Sequence, residues 1–139
     1  GVDGMDGLLT VKGFDTSLAE GAMLLTPFVA TAEDEATKSF VEKYQSADYG
    51  DGETPNQFAA DAYDCIYALR AAIEQSGVTA DMDYSDICDA LVETFTSEDF
   101  SFTGLTTAGE SATWSDTGEI SKQPMGMVIQ DGVYMPLDA

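Results

Sequence analysis

Apolar residues between positions 33 and 76 recur at intervals of three and four, the spacing that collects side chains on one face of an α-helix. TAED at 31–34 has the Thr-x-x-acid form of a capping box, and Ala36, Phe40, Val41 and Tyr44 follow it, so a helix is predicted over about residues 33–46. A stronger start signal is TPNQ at 54–57, with Thr54 as N-cap, Pro55 in the first helical position and Gln57 closing the box. Phe58, Ala62, Ile66, Leu69 and Ile73 then share one face, expected to be buried, and Gly77 ends the helix. A third helix is predicted over about 84–95, with Ile87, Leu91 and Phe95 on its inner side.

The pattern differs on either side of this helical stretch. AMLLTPF at 22–28 is a short apolar run broken by Pro27 and preceded by the Glu20-Gly21 turn signal, which suits a buried strand. After residue 100, Gly, Ser and Thr become abundant and apolar residues alternate with polar ones. SATWSDTGEI reads as two strands around a turn at Ser115–Gly118, and MGMVIQDGVYMPL as a hairpin closed by Asp131-Gly132. The first residues read as the end of a strand, so the chain is expected to be an internal piece of something longer.

The opening GVDGMDGLL sets Asp3 and Asp6 among three glycines, where the backbone is least constrained. That placement suits either a surface turn or acids presented at the mouth of a site. SADYGDGETP at 46–55 is a polar loop whose acids, Asp48, Asp51 and Glu53, miss the alternating ligand positions of an EF-hand, so it is read as solvated. Cys65 and Cys88 have no metal-site spacing; they form either a disulfide pair or two small buried apolar side chains.

Composition narrows the function. The 139 residues suffice for one domain's core, and 26 acids against 5 bases give a formal charge of -21, which repels phosphate backbones and anionic lipid surfaces. Nucleic acid is therefore excluded as a partner class. No apolar run reaches the roughly 20 residues that span a bilayer. The chain has no histidine, and so lacks the commonest general base and transition-metal ligand.

The order of segments resembles the C-terminal part of the type I periplasmic substrate-binding proteins of branched-chain amino acid ABC transporters, the family of the leucine/isoleucine/valine-binding protein. The resemblance runs from the Gly-x-acid-Gly mouth through EGAMLLTPF, three successive helices and TWSDTGEI to the closing hairpin. It implies an α/β fragment of a two-lobed fold, with residues 1–27 and 113–139 in the second lobe and 28–112 in the first. It also implies an acid contacting the ammonium of a bound amino acid at Asp3, where the leucine/isoleucine/valine-binding protein has glutamate, and an aromatic lining the cleft at Phe58. Phe28, Asp61 and Tyr63 are weaker cleft candidates, and Asp6 matches no ligand contact and is expected in a turn or capping role. The implied partners are a free amino acid and a membrane permease, with no cofactor and no metal, in an extracellular or periplasmic setting that includes the option of a lipid anchor. The first-lobe strands and the carboxylate-binding residues of such proteins come earlier than Gly1, so the helices are expected to lack their sheet and to self-associate or pair with the missing half.

Two other functions are compatible with these residues. A sensory or surface domain could share the fold without transport. A hydrolase would have to work with carboxylates alone, such as Asp3 with Asp6, because no nucleophile elbow or metal-ligand set is present. The leading reading is a non-enzymatic binding protein.

Overall fold

The computed structural model describes residues 5–137, which contain three strands, three α-helices and several short 3-10 turns. In chain order the elements are β1 (Met23–Thr26), α1 (Glu35–Ser46), α2 (Gln57–Ser76), α3 (Tyr84–Phe95), β2 (Met125–Gln130) and β3 (Val133–Pro136). The chain divides into two units, Gly1–Ala60 with Gln123–Ala139, and Asp61–Lys122.

The first unit is built on an antiparallel sheet in the order β1-β2-β3, with Leu24 opposite Met127 and Ile129 opposite Tyr134. Alternation along β1 and β2 buries Leu24, Thr26, Met127 and Ile129, and Phe28 and Phe40 pack edge-on beside them, ring centres 5.8 Å apart. The hairpin turns where the sequence predicts. Asp131 and Gly132 have φ of 52° and 75°, the left-handed pair of a two-residue turn that matches the twist of the strands.

Helix α1 begins three residues later than its capping box suggests. Asp34 is the N-cap, its carboxylate accepting the Thr37 N–H at 2.9 Å. That bond holds the Asp34 carboxyl below the usual carboxylate range. Because the folded form is the more acidic, this small stabilisation is complete above the ordinary aspartate pKa and is lost as pH falls through the lowered one.

The second unit holds most of α2, all of α3 and the segment 96–122. Its buried side chains are small apart from Phe100 and Asp64: Ala68, Ala72, Ala112, Thr106 and Thr107. Phe95, Phe100 and Trp114 meet edge-on or tilted, with ring centres 5.0 to 5.6 Å apart. TWSDTGEI forms no pair of strands. Trp114 and Ile120 make one isolated antiparallel bridge around the Ser115–Gly118 turn, where Gly118 N–H donates to the Ser115 carbonyl at 2.8 Å.

Helix α2 turns the face opposite to the expected one inward. Its buried positions are Gln57, Ala60, Asp64, Ala68 and Ala72, while Phe58, Ala62, Ile66, Leu69 and Ile73 are exposed, Ile66 to 67%. Small side chains admit a neighbouring backbone closely. Over this face lies the 3-10 turn Leu105–Thr107, and the Asp64 carboxylate accepts Leu105 N–H at 2.9 Å, Thr106 N–H at 2.7 Å and the Thr106 hydroxyl at 2.8 Å. A carboxylate buried with three donors is satisfied, and the cost of taking it from water is offset. A larger apolar face cannot offer that arrangement.

The same rotation settles the cysteines. Cys65 follows the buried Asp64 by one position, about a quarter-turn round the helix, and is exposed; Cys88 on α3 is exposed as well, and both are free thiols. Neither the disulfide nor the pair of buried apolar side chains is what the structure contains.

Candidate functional site

A cavity of about 230 Å³ opens within the first unit. Four pieces of chain form its wall: the turn at 6–10, the end of β1 with residues 28–31, the approach to α2 at 54–56, and the hairpin at 132–134. Its lining is mostly apolar, with Leu9, Phe28, Val29, Met127 and Val133, and its polar groups come from Asp6, Thr10, Thr26, Thr31, Thr54, Asn56 and Tyr134.

Asp6 ties two of these pieces together, the turn at 6–10 and the start of α2. One carboxylate oxygen accepts the Gly7 N–H at 3.0 Å and the other accepts the Gln57 N–H, 51 residues away, at 2.6 Å. The first turn of α2 is thus capped from outside the helix. Asn56 completes the cap by accepting the Ala59 N–H at 3.2 Å, so Thr54 and Pro55 lie in the approach and not in the helix. Gly7 is needed in this turn: its φ is +86°, and a β-carbon there would meet the Asn56 amide at 3.4 Å. Asp6 therefore has the turn and capping role that its sequence suggests.

Beneath the helix start, the buried Gln57 side chain and the Thr26 hydroxyl lie 3.3 Å apart, and Thr26 also donates to the Phe28 carbonyl and accepts the Phe28 N–H. On the opposite wall, the Tyr134 hydroxyl donates to the Met5 carbonyl at 3.2 Å. Burial raises the pKa of that phenol, so it stays a neutral donor. Among the described residues Asp6 is the only charged one in the lining. Such a wall suits an apolar group, or a cation beside the carboxylate, and offers no positive partner to an anion.

Replacing Asp6 by alanine is expected to lower the stability of the chain by about 1 kcal/mol, the usual loss for a helix cap. Thermal unfolding checks this, and an unchanged melting temperature would show that Asn56 caps the helix unaided.

The sequence-derived candidates are dispersed. Asp3 lies outside the described residues. Phe28 is buried and lines the cavity. Phe58 is 51% exposed at the start of α2 and does not line it. Asp61 and Tyr63 belong to the second unit, where Asp61 pairs with Lys122 and Tyr63 stacks on Tyr67 with ring centres 4.5 Å apart. No sequence motif marks Thr26, Asn56 or Tyr134 as lining a cavity. The hairpin motif places Tyr134 on β3, but only the sheet register brings it to the wall formed by residues 5–10.

Among the described residues no group of His, Cys, Asp and Glu is arranged to hold a metal ion, and no helix is long and apolar enough to cross a membrane. No protein-family model matches the chain, and no curated protein matches its sequence. Solved structures do. A leucine-binding protein from Thermotoga maritima aligns with 99% of this chain at a TM-score of 0.67 and 23% identity. A solute-binding protein of an ABC transporter from Rhodopseudomonas palustris, in complex with 3,4-dihydroxybenzoic acid, aligns with 96% of it at 0.69 and 19% identity. An ABC transporter substrate-binding protein from Desulfitobacterium hafniense, in complex with leucine, aligns with 87% at 0.66 and 20% identity. The chain spans only 35%, 33% and 32% of those three proteins respectively. Its three helices and small sheet thus have the fold of about a third of a type I periplasmic-binding protein.

Proposed function

We propose that this chain is part of the solute-binding component of an ABC transporter, which captures a free amino acid, branched-chain or related, between two lobes and delivers it to a membrane permease. The observation that carries the reading is the alignment of nearly the whole chain with a leucine-binding protein. In this reading residues 1–27 and 113–139 belong to the second lobe and 28–112 to the first, Asp3 receives the ammonium, and Phe58 faces the cleft from the first lobe. The protein works outside the cytoplasmic membrane and performs no bond chemistry.

The test is calorimetry on the complete protein with leucine, isoleucine, valine and benzoate, followed by recovery of the ligand. Binding of an amino acid that is recovered unchanged supports the reading. Benzoate bound in preference, or an amino acid chemically altered, overturns it. Uptake of the amino acid only when a permease is co-produced separates transport from sensing.

The exposed stripe from Phe58 to Ile73 bears on the partners of the chain. Taken alone, the 139 residues should bury that stripe by self-association, covering more than roughly 1,000 Å². Sedimentation checks this, and a monomer would show that net charge outweighs the apolar gain. The face of α3 from Ile87 to Phe95 contributes less, since Ile87 and Leu91 are half-buried and Phe95 already packs on Phe100 and Trp114.

A further inference from the structure

We propose that the second unit, Asp61–Lys122, is held folded by diffuse screening from dissolved cations and loosens as ionic strength falls. Between Arg70 and Lys122 the sequence contains no lysine, arginine or histidine. The two flanking bases are already engaged inside the unit, Arg70 with Glu74 at 2.8 Å and Lys122 with Asp61. Every charged residue between them is an acid, and every one is exposed. The protein itself thus supplies no countercharge along this stretch, and the solvent must.

The strain concentrates on α3. Asp86 and Asp89 are three residues apart, Asp89 and Glu93 four, so the three carboxylates line one side of the helix and repel. Glu93 also sits in the last turn, against the negative end of the helix dipole, and that turn has no basic residue. Opposing this repulsion is a modest apolar core, chiefly Phe100 with three alanines, and the contact of Phe95 at the end of α3 with Phe100 and Trp114. The carboxylates are exposed and spread along the whole stretch, so an ion atmosphere is the countercharge that reaches all of them. The range of that repulsion falls from about 30 Å at about 0.01 M salt to about 3 Å at about 1 M, which removes most of it between exposed groups.

Trp114, the single tryptophan, reports this directly because it lies in the aromatic contact that α3 completes. The experiment follows its fluorescence, the helical circular dichroism and the melting temperature of the whole chain in KCl from about 0.01 to about 2 M. Helicity and a blue-shifted emission should grow with salt, and the melting temperature should rise by about 10 °C by about 1 M. The variant Asp86→Asn/Asp89→Asn/Glu93→Gln should melt higher than the natural chain in dilute salt and respond less to KCl. Should it not fold, Glu98→Gln/Asp99→Asn, beyond the helix, is read in the same way. Identical signals for the natural chain across the salt range would overturn the proposal. So would a full salt response in the neutralised variant, since salt would then act on apolar surface and not on charge.

Discussion

Replacing Asp64 by alanine is expected to destabilise the second unit by about 3 kcal/mol, because three donors lose their shared acceptor. Leu105 N–H, Thr106 N–H and the Thr106 hydroxyl all point at this one carboxylate, at 2.9, 2.7 and 2.8 Å. Hydrogen bonds to a charged acceptor contribute about 1.5 to 3 kcal/mol each but do not add in full, because the freed donors partly find water. Lys122 feels the change too, as its ammonium donates to the Thr106 hydroxyl at 3.2 Å. Asp64→Asn should also destabilise, since its amide nitrogen must face a backbone donor. Denaturant unfolding followed by Trp114 gives the measurement, and a loss below about 1 kcal/mol for alanine would mean that the 3-10 turn is held by other contacts.

In the complete protein, Asp3→Asn is expected to lower amino-acid affinity by some hundred- to several-thousand-fold. The ammonium of a bound amino acid loses most of its water when two lobes close, and removing its ionised partner leaves a buried cation unpaired, a cost of about 3 to 5 kcal/mol. Asp6→Asn should change affinity little, because both of its oxygens already accept backbone N–H groups and its work is to join a turn to a helix. Calorimetry on the two variants separates them. Unchanged binding in Asp3→Asn would mean that the opening acids serve only the turn, and a large loss in Asp6→Asn would move the ammonium site to the cavity wall.

Which features could be read in advance follows from the range of the forces involved. Helices α1, α2 and α3 end within two or three residues of their predicted limits, because periodicity and capping residues act over one or two turns. The Asp131-Gly132 hairpin was legible for the same reason: both residues adopt positive φ, and the turn's own backbone sets the register of β2 against β3. The role of Asp6 was half legible, since glycine beside an acid marks a turn.

The tertiary structure decided what depends on partners distant in sequence. Periodicity along α2 defines a large apolar stripe and a stripe of small residues, but not which of them faces inward. The segment at 104–107 decides that by requiring close backbone approach and an acceptor at Asp64, so Ala68 and Ala72 are buried and Ile66 is not. The start of α2 moved from Thr54 to Asn56 because a carboxylate 51 residues earlier takes the Gln57 N–H. Cys65 and Cys88 followed the rotation of their helices into solvent. By itself, then, the sequence determined the helices, the hairpin and the excess of negative charge, all properties of neighbouring residues or of simple counting. The inward face of α2, the fate of the thiols and the cavity at Asp6 were decided by tertiary structure alone, because hydrogen bonds and close packing between remote segments select among alternatives that local energies leave nearly equal.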